Sequence, residues 1–325
     1  MAELLSKQFE SVFSTPKEDF SSLNLQMRND IPPLSDINFN PNDVIEAIKE
    51  ISHNSAPGPD GVVPSIYKLY AAQLAEPIYN ILRNSLDLGK LHVHTALAHI
   101  SAIFKSGDSS LPVNYRPIAL TDHLMKIFER IIKKAIMKHL TDNNLFNDTQ
   151  HGFRPNRSTI SQLLFFYDDI ISKLESGGDV DAIYLDFAKA FDKVDHNVLL
   201  EKLRHLRIEG KVLAWITCFL KNRKQIVTVE NCLSSAVTVK SGVPQGSVLG
   251  PILFVILMTD INENIFNASL GSFADDTRLW QLITSHLNSN ELQEDLNAVF
   301  GWAEDNNMFF NSGKFVRIHS VSYTH

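Results

Sequence analysis

The chain has 325 residues, 44% of them hydrophobic, and no low-complexity tract, a make-up that supports one large core or two moderate ones and excludes extended disorder. Its longest apolar run, 251–258, falls far short of the roughly 20 residues a membrane-spanning helix needs, and its start lacks a signal-peptide pattern, so a soluble, intracellular protein without a membrane partner is expected. With 30 basic and 37 acidic side chains the net charge is −7, which counts against a uniformly basic nucleic-acid-binding surface.

That average conceals a pattern. Residues 1–60 carry 4 basic and 10 acidic side chains and 275–314 carry 2 and 7, whereas 99–157 carry 9 and 5 and 201–224 carry 7 and 2. Basic stretches flanking acidic ones suit a protein that handles phosphates around an acidic centre, and equally suit any solvated surface. Cys218 and Cys232 stand in no CxxC or His-paired spacing, which excludes a disulfide framework or a zinc site and leaves reduced thiols.

In chain order, the first 90 residues read as a mainly helical extension, with Asn42 and Asp43 capping a helix that places Val44, Ile45, Ile48 and Ile51 on one face. The run Ala56-Pro-Gly-Pro-Asp-Gly61 breaks regular structure, and 91–325 is expected to form the main domain. A helix is predicted over 121–140, with Leu124, Ile127, Phe128, Ile131, Ala135 and Ile136 toward a core, and another over 159–174. After Gly177-Gly178 come a strand over 180–186, helices over 198–206 and 212–220, and a hairpin of strands 224–230 and 236–240 joined through 231–235. The pattern then predicts a buried helix over 247–261, a second hairpin of 268–273 and 278–283 around Ala274-Asp-Asp-Thr277, and a helix over 289–305. Strand, helices, then strand hairpin is the order of an α+β fold, not of a parallel α/β sheet.

Asp186 closes a predicted strand and Asp275-Asp276 occupy a predicted hairpin turn 89 residues later, so three carboxylates can meet at one edge of a sheet. Nucleotidyl transfer uses hard cations held by carboxylate oxygens to activate a 3′-hydroxyl and to hold a triphosphate. Asp-Asp by itself is also a good turn dipeptide, and the context decides between the two.

The context is specific. Asp181-Ala-Ile-Tyr-Leu-Asp-Phe-Ala-Lys-Ala-Phe-Asp-Lys-Val-Asp-His196 resembles motif A of reverse transcriptases from retrotransposons without long terminal repeats, Ser241-Gly-Val-Pro-Gln-Gly-Ser-Val-Leu-Gly-Pro251 resembles motif B, and Phe273-Ala-Asp-Asp276 resembles motif C. Lys105-Ser-Gly-Asp108, Asn114-Tyr-Arg-Pro-Ile118 and Gln150-His-Gly-Phe-Arg154 look like the fingers motifs, and Trp302 to Asn306 with Asn311 to Lys314 look like motif D. The matches follow the family's order over 56–314, with a jockey-like or chicken-repeat-like flavour.

The resemblance implies a right-hand polymerase with fingers and palm, the thumb missing or truncated, and motifs through D within 91–325. It implies an RNA-directed DNA polymerase that takes template RNA, a DNA primer or nicked target DNA, and deoxynucleoside triphosphates, with two Mg2+ ions as cofactor and Mn2+ as a substitute. The expected place is a cytoplasmic ribonucleoprotein acting in the nucleus; the oligomeric state is left open. Asp186, Asp275 and Asp276, with the backbone carbonyl of Phe187, would hold the metal, and Lys314 would protonate departing pyrophosphate. Lys105 and Arg116 would contact the triphosphate, and Gln245 and Gly246 the incoming nucleotide. Phe191, five residues past Asp186, would exclude a 2′-hydroxyl, while Arg154 and Arg157 would touch template. Two alternatives stand beside this reading. Phe191 speaks against an RNA polymerase of related architecture, and the intact carboxylates against a catalytically silent binding remnant.

Overall fold

The computed structural model describes residues 1–23, 25, 27–91 and 96–321. Its helices and strands run α1 (Ala2–Glu10), α2 (Pro41–Lys49), α3 (Pro64–Leu69), α4 (Ala71–Leu88), β1 (Leu97–Phe104), β2 (Tyr115–Leu120), α5 (His123–Asp142), α6 (Thr159–Glu175) and β3 (Asp179–Leu185). There follow α7 (Ala190–Lys193), α8 (His196–His205), α9 (Gly210–Lys221), β4 (Lys224–Val229), β5 (Cys232–Leu233), β6 (Val237–Thr238) and α10 (Gly250–Leu257). The last are β7 (Ser269–Phe273), β8 (Asp276–Ile283), α11 (His286–Asp305) and β9 (Val316–Ser320). Among the described residues no helix is long and apolar enough to cross a membrane.

These elements form two compact units, neither of them continuous in sequence. One gathers Met1–Glu18, Asn24–Asn144 and Phe191–Leu253, the other Asp19–Leu23, Leu145–Ala190 and Phe254–His325.

The first unit is built on a sheet of order β2-β1-β4-β5, with β6 also paired to β4; β1 and β4 run parallel and the other pairs antiparallel. Leu5 and Phe9 of α1 pack with Ala98, Ile100, Ala119 and Val227 of this sheet. Pro117 lies in β2, an edge strand, where a missing amide hydrogen costs no ladder bond. Helix α5 carries the predicted apolar stripe, with Ile127, Phe128, Ile131 and Ile136 buried. One acid, Glu129, is buried with them.

The second unit is built on a wholly antiparallel sheet of order β7-β8-β3-β9. Phe166 and Ile170 of α6 pack on Val180, Ala182 and Trp280, alternate positions on one face of β3 and β8. The intervening Gln281 donates to Glu291 of α11 (3.1 Å), so α11 serves the opposite face.

Several boundaries differ from the sequence reading, each for a local reason. The cap of α2 is Asn40, not Asn42 or Asp43: its side chain accepts from the Asn42 amide (2.9 Å), the Asp43 carboxylate accepts from the Asn40 amide (3.0 Å), and Pro41 fills the first turn without losing a bond. The helix expected over 247–261 is confined to Gly250–Leu257, and the amides of Val248 and Leu249 just before it are bound by Glu129. Strands β1, β2 and β9 were not anticipated, and β5 lies in the link expected between the strands now seen as β4 and β6.

Candidate active site

In the second unit, β3 and β8 pair with Leu185 opposite Thr277, and continuing that register by one residue sets Asp186 beside Asp276. Strands β7 and β8 close through Phe273 opposite Asp276, leaving Ala274 and Asp275 as a two-residue hairpin turn. Such turns need a positive φ at their first central residue, and Ala274 supplies it at 55°. The three carboxylates therefore sit at one end of a sheet. Burial pushes the Asp275 carboxyl above its usual range, and the neighbouring charges of Asp276 and Asp186 add to the rise.

A second device reaches the same end. Phe187 bridges antiparallel to Phe310, using bonds from the Ala188 amide to the Phe309 carbonyl (2.8 Å) and from the Asn311 amide to the Asp186 carbonyl (2.8 Å), and its ring stacks on Phe310 with centroids 4.3 Å apart. In this pairing the Phe187 carbonyl points away from the Phe310 segment. The short turn that follows brings Lys314 Nζ to 2.8 Å from Asp186 Oδ2. Further along, β9 is tied to β3 by Asp181, a buried carboxylate that accepts from Arg317 (2.7 Å) and His319 (2.8 Å). Desolvation pushes Asp181 up, but those two partners outweigh it and hold the carboxyl below the usual range.

Among the described residues no three His, Cys, Asp or Glu side chains already stand close enough to hold a metal ion. The donor set nevertheless fits a hard divalent cation: three carboxylates at one sheet end, one of them raised by burial and by its neighbours' charge, with Lys314 ion-paired to Asp186. Arg154 and Arg157 lie in the same unit. Arg154 Nη1 donates to the Asn147 and Gln150 carbonyls (2.5 and 3.3 Å) and its guanidinium lies over Phe146 (4.7 Å), so it braces its own loop; Arg157 is more open, 3.7 Å from Asp148.

The first unit holds the other expected residues. Phe191 and Asp192 lie in α7, and the Val243 amide donates to the Phe191 carbonyl (2.8 Å). A side chain on Gly242 would strike the Asp192 and Phe191 carbonyls at 2.7 and 2.9 Å, so glycine permits this close approach. Gln245 Nε2 donates to Asp192 Oδ1 (2.8 Å), and its backbone carbonyl accepts from the Ala119 amide of β2 (2.7 Å). On Gly246, with φ 111°, a Cβ would lie 2.7 Å from the Ala119 carbonyl oxygen, so glycine suits this position too. Behind this loop, the fully buried Glu129 accepts from Val248 (2.7 Å) and Leu249 (2.9 Å). Burial pushes Glu129 up and lowers Arg223, its buried electrostatic partner, to about 10. Lys105 and Arg116 stand at the β1–β2 hairpin; Ile103 pairs with Arg116, so Lys105, two residues on, shares its face.

The geometry thus brings Asp186, Asp275, Asp276 and Lys314 together in one unit and Phe191, Gln245 and Gly246 together in the other. Sequence reasoning gave no role to Gln150, Glu129 or Asp192, whose partners lie far away along the chain.

A family model described as reverse transcriptase (RNA-dependent DNA polymerase) matches residues 103–324, more than half of the chain. The chain belongs to the reverse transcriptase family. It is 29% identical over 304 residues to a probable RNA-directed DNA polymerase from transposon X-element of Drosophila melanogaster, covering 92% of this chain and 33% of the relative. It is 30% identical over 274 residues to the probable RNA-directed DNA polymerase from transposon BS of the same species, covering 81% and 30%, and 30% identical over 285 residues to the RNA-directed DNA polymerase from mobile element jockey of Drosophila funebris, covering 85% and 31%. The chain spans about a third of the length of these relatives, which belong to retrotransposons without long terminal repeats.

Proposed function

We propose that this chain is the fingers and palm of an RNA-directed DNA polymerase from a retrotransposon without long terminal repeats, with 91–325 as the polymerase domain and 1–90 as its extension. Its substrates are then template RNA, a DNA primer or nicked target DNA, and deoxynucleoside triphosphates; its setting is a cytoplasmic ribonucleoprotein that acts in the nucleus. The observation that carries this reading is the meeting of Asp186 with the Asp275-Asp276 turn at the end of one sheet, within reach of Lys314.

Asp186, Asp275, Asp276 and the Phe187 carbonyl would hold two Mg2+ ions, or Mn2+ in their place. When bound, the ions lower the pKa of a primer 3′-hydroxyl and neutralise leaving pyrophosphate. Lys314 stands beside Asp186, where it would donate to a departing phosphate oxygen. The Phe191 ring excludes a 2′-hydroxyl by volume. Gln245, its amide oriented by Asp192, meets the incoming nucleotide where Gly246 leaves the backbone uncovered. Lys105 and Arg116 present two cations on one face of a hairpin to the triphosphate. Arg157, and Arg154 through its loop, contact template.

The reading is tested by primer extension on an RNA template, offering one deoxynucleotide at a time with Mg2+. Addition of only the complementary nucleotide supports it; addition without regard to template, or none at all, refutes it.

A further inference from the structure

Ala274 is held in an unusual way. The Gln150 side chain, almost wholly buried, grips the backbone of this one residue from both directions: the Ala274 amide donates to Gln150 Oε1 (2.9 Å), and Gln150 Nε2 donates to the Ala274 carbonyl (3.1 Å). The same Oε1 accepts from the Gly152 amide (2.7 Å). A side-chain amide is here acting as a strand partner, satisfying a donor and an acceptor that the tight turn leaves outside the β7–β8 ladder.

The segment that carries Gln150 is fixed in turn. The His151 amide donates to the Ser272 carbonyl and the Ser272 amide to the Thr149 carbonyl, both at 2.8 Å, so 149–151 runs as a short parallel bridge beside β7. Gly152 allows the contact, since a Cβ there would lie 2.3 Å from the Ala274 nitrogen.

Two forces oppose the turn that this clamp holds. A non-glycine residue in the left-handed region costs about 1–2 kcal/mol, and Ala274 is one. Adjacent carboxylates at 275 and 276, with Asp186 beside 276 at the same sheet end, also repel one another. We infer that Gln150 is a positioning residue for the catalytic turn, holding Ala274 so that Asp275 and Asp276 keep one fixed projection before a cation arrives. The inference rests on the proposed reading of those two carboxylates as cation ligands. Preorganisation of this kind acts on the rate of the chemical step, because a misplaced ligand must be moved at the moment of reaction.

The test compares three variants of the full chain. Gln150→Met keeps the bulk of the side chain and removes all three bonds. Gln150→Glu keeps the two acceptor bonds and loses the donor. Asp295→Asn is the control for stability alone: Asp295 accepts from the amides of Phe266, Asn267 and Ala268 (3.1, 2.8 and 2.6 Å) in the same unit. Amide hydrogen exchange at Ala274 should quicken by about tenfold or more in Gln150→Met and stay at the wild-type rate in Asp295→Asn. Single-turnover nucleotide addition should slow about 100-fold in Gln150→Met with KM for the nucleotide within about threefold of wild type, and Gln150→Glu should recover part of the loss. Unchanged exchange at Ala274, or an equal rate loss in an Asp295→Asn protein of equal stability, overturns the inference. Should Gln150→Met not fold, Gln150→Glu carries the same comparison. A wild-type chain that adds no nucleotide defeats the proposed polymerase activity, while exchange at Ala274 still decides whether the clamp exists.

Discussion

The Lys314 ammonium lies 2.8 Å from Oδ2 of Asp186, a pairing that spans 128 residues of sequence. It exists because the Phe187–Phe310 bridge anchors the start of the turn that ends in Lys314. If Lys314 delivers a proton to leaving pyrophosphate, Lys314→Met should slow single-turnover addition by about 100-fold, the low end of general-acid contributions, with little change in nucleotide KM. Rapid-quench kinetics read this directly, and a wild-type rate in the variant would leave Lys314 a partner of Asp186 and nothing more.

Selection between deoxy- and ribonucleotides should follow the Phe191 ring. Phe191→Val is expected to raise ribonucleotide incorporation by 10-fold or more, on the order of what one extra group is worth in a shaped pocket, with deoxynucleotide addition largely retained. Asp192→Ala should instead raise KM for every nucleotide alike, because it frees the Gln245 amide without opening space at the sugar. Steady-state kinetics with paired ribo- and deoxynucleotides separate the two, and an unchanged preference in Phe191→Val places the gate elsewhere.

Glu129 offers a stability test. Removing its carboxylate in Glu129→Ala leaves two amides at 248 and 249 without an acceptor and the buried Arg223 charge without its electrostatic partner. Each buried amide left without an acceptor costs about 1–3 kcal/mol, whereas Glu129→Gln keeps an acceptor and should cost less. Urea midpoints at constant slope measure both, and equal, small losses would show that the carboxylate is dispensable.

What the sequence made legible follows from how each feature is encoded. Helices α5 and α6, strand β3 and the β7–β8 hairpin carry periodic apolar patterns or turn residues, and they lie where those patterns put them. Strand β2 is interrupted by Pro117, and β9 is exposed along most of its length, so neither shows alternating burial. The two units interleave along the chain, an arrangement that no local signal records. At the site, the carboxylates were legible because a motif surrounds each one. Gln150 and Ala274, 124 residues apart, meet only through tertiary structure, and Glu129 reads in sequence as one more polar residue on a helix.

His196 should make stability depend on pH. Burial lowers its pKa from 6.5 to about 4, with Arg223 and Lys221 adding to the fall, against the Gly242 carbonyl that its Nε2 donates to (2.8 Å) and the nearby Asp195. Above pH 6.5 the ring is neutral folded or unfolded. Between pH 6.5 and about 4 only the unfolded chain takes up the proton, so stability falls by roughly 3 kcal/mol across that window, with no further loss from this group below it. Denaturation of wild type and His196→Gln across this range should show the difference between them shrinking as pH falls; a constant difference would remove His196 as the cause.

The central claim, that Asp186, Asp275 and Asp276 form one cation site, is tested most directly by electron paramagnetic resonance titration of the chain with Mn2+ in the presence of primer, RNA template and a nucleotide. The account predicts bound Mn2+ in the wild type and affinity weakened by about tenfold or more in each of Asp186→Asn, Asp275→Asn and Asp276→Asn, the scale on which loss of a ligand-shell group acts. Wild-type Mn2+ binding in Asp186→Asn or Asp275→Asn would contradict it.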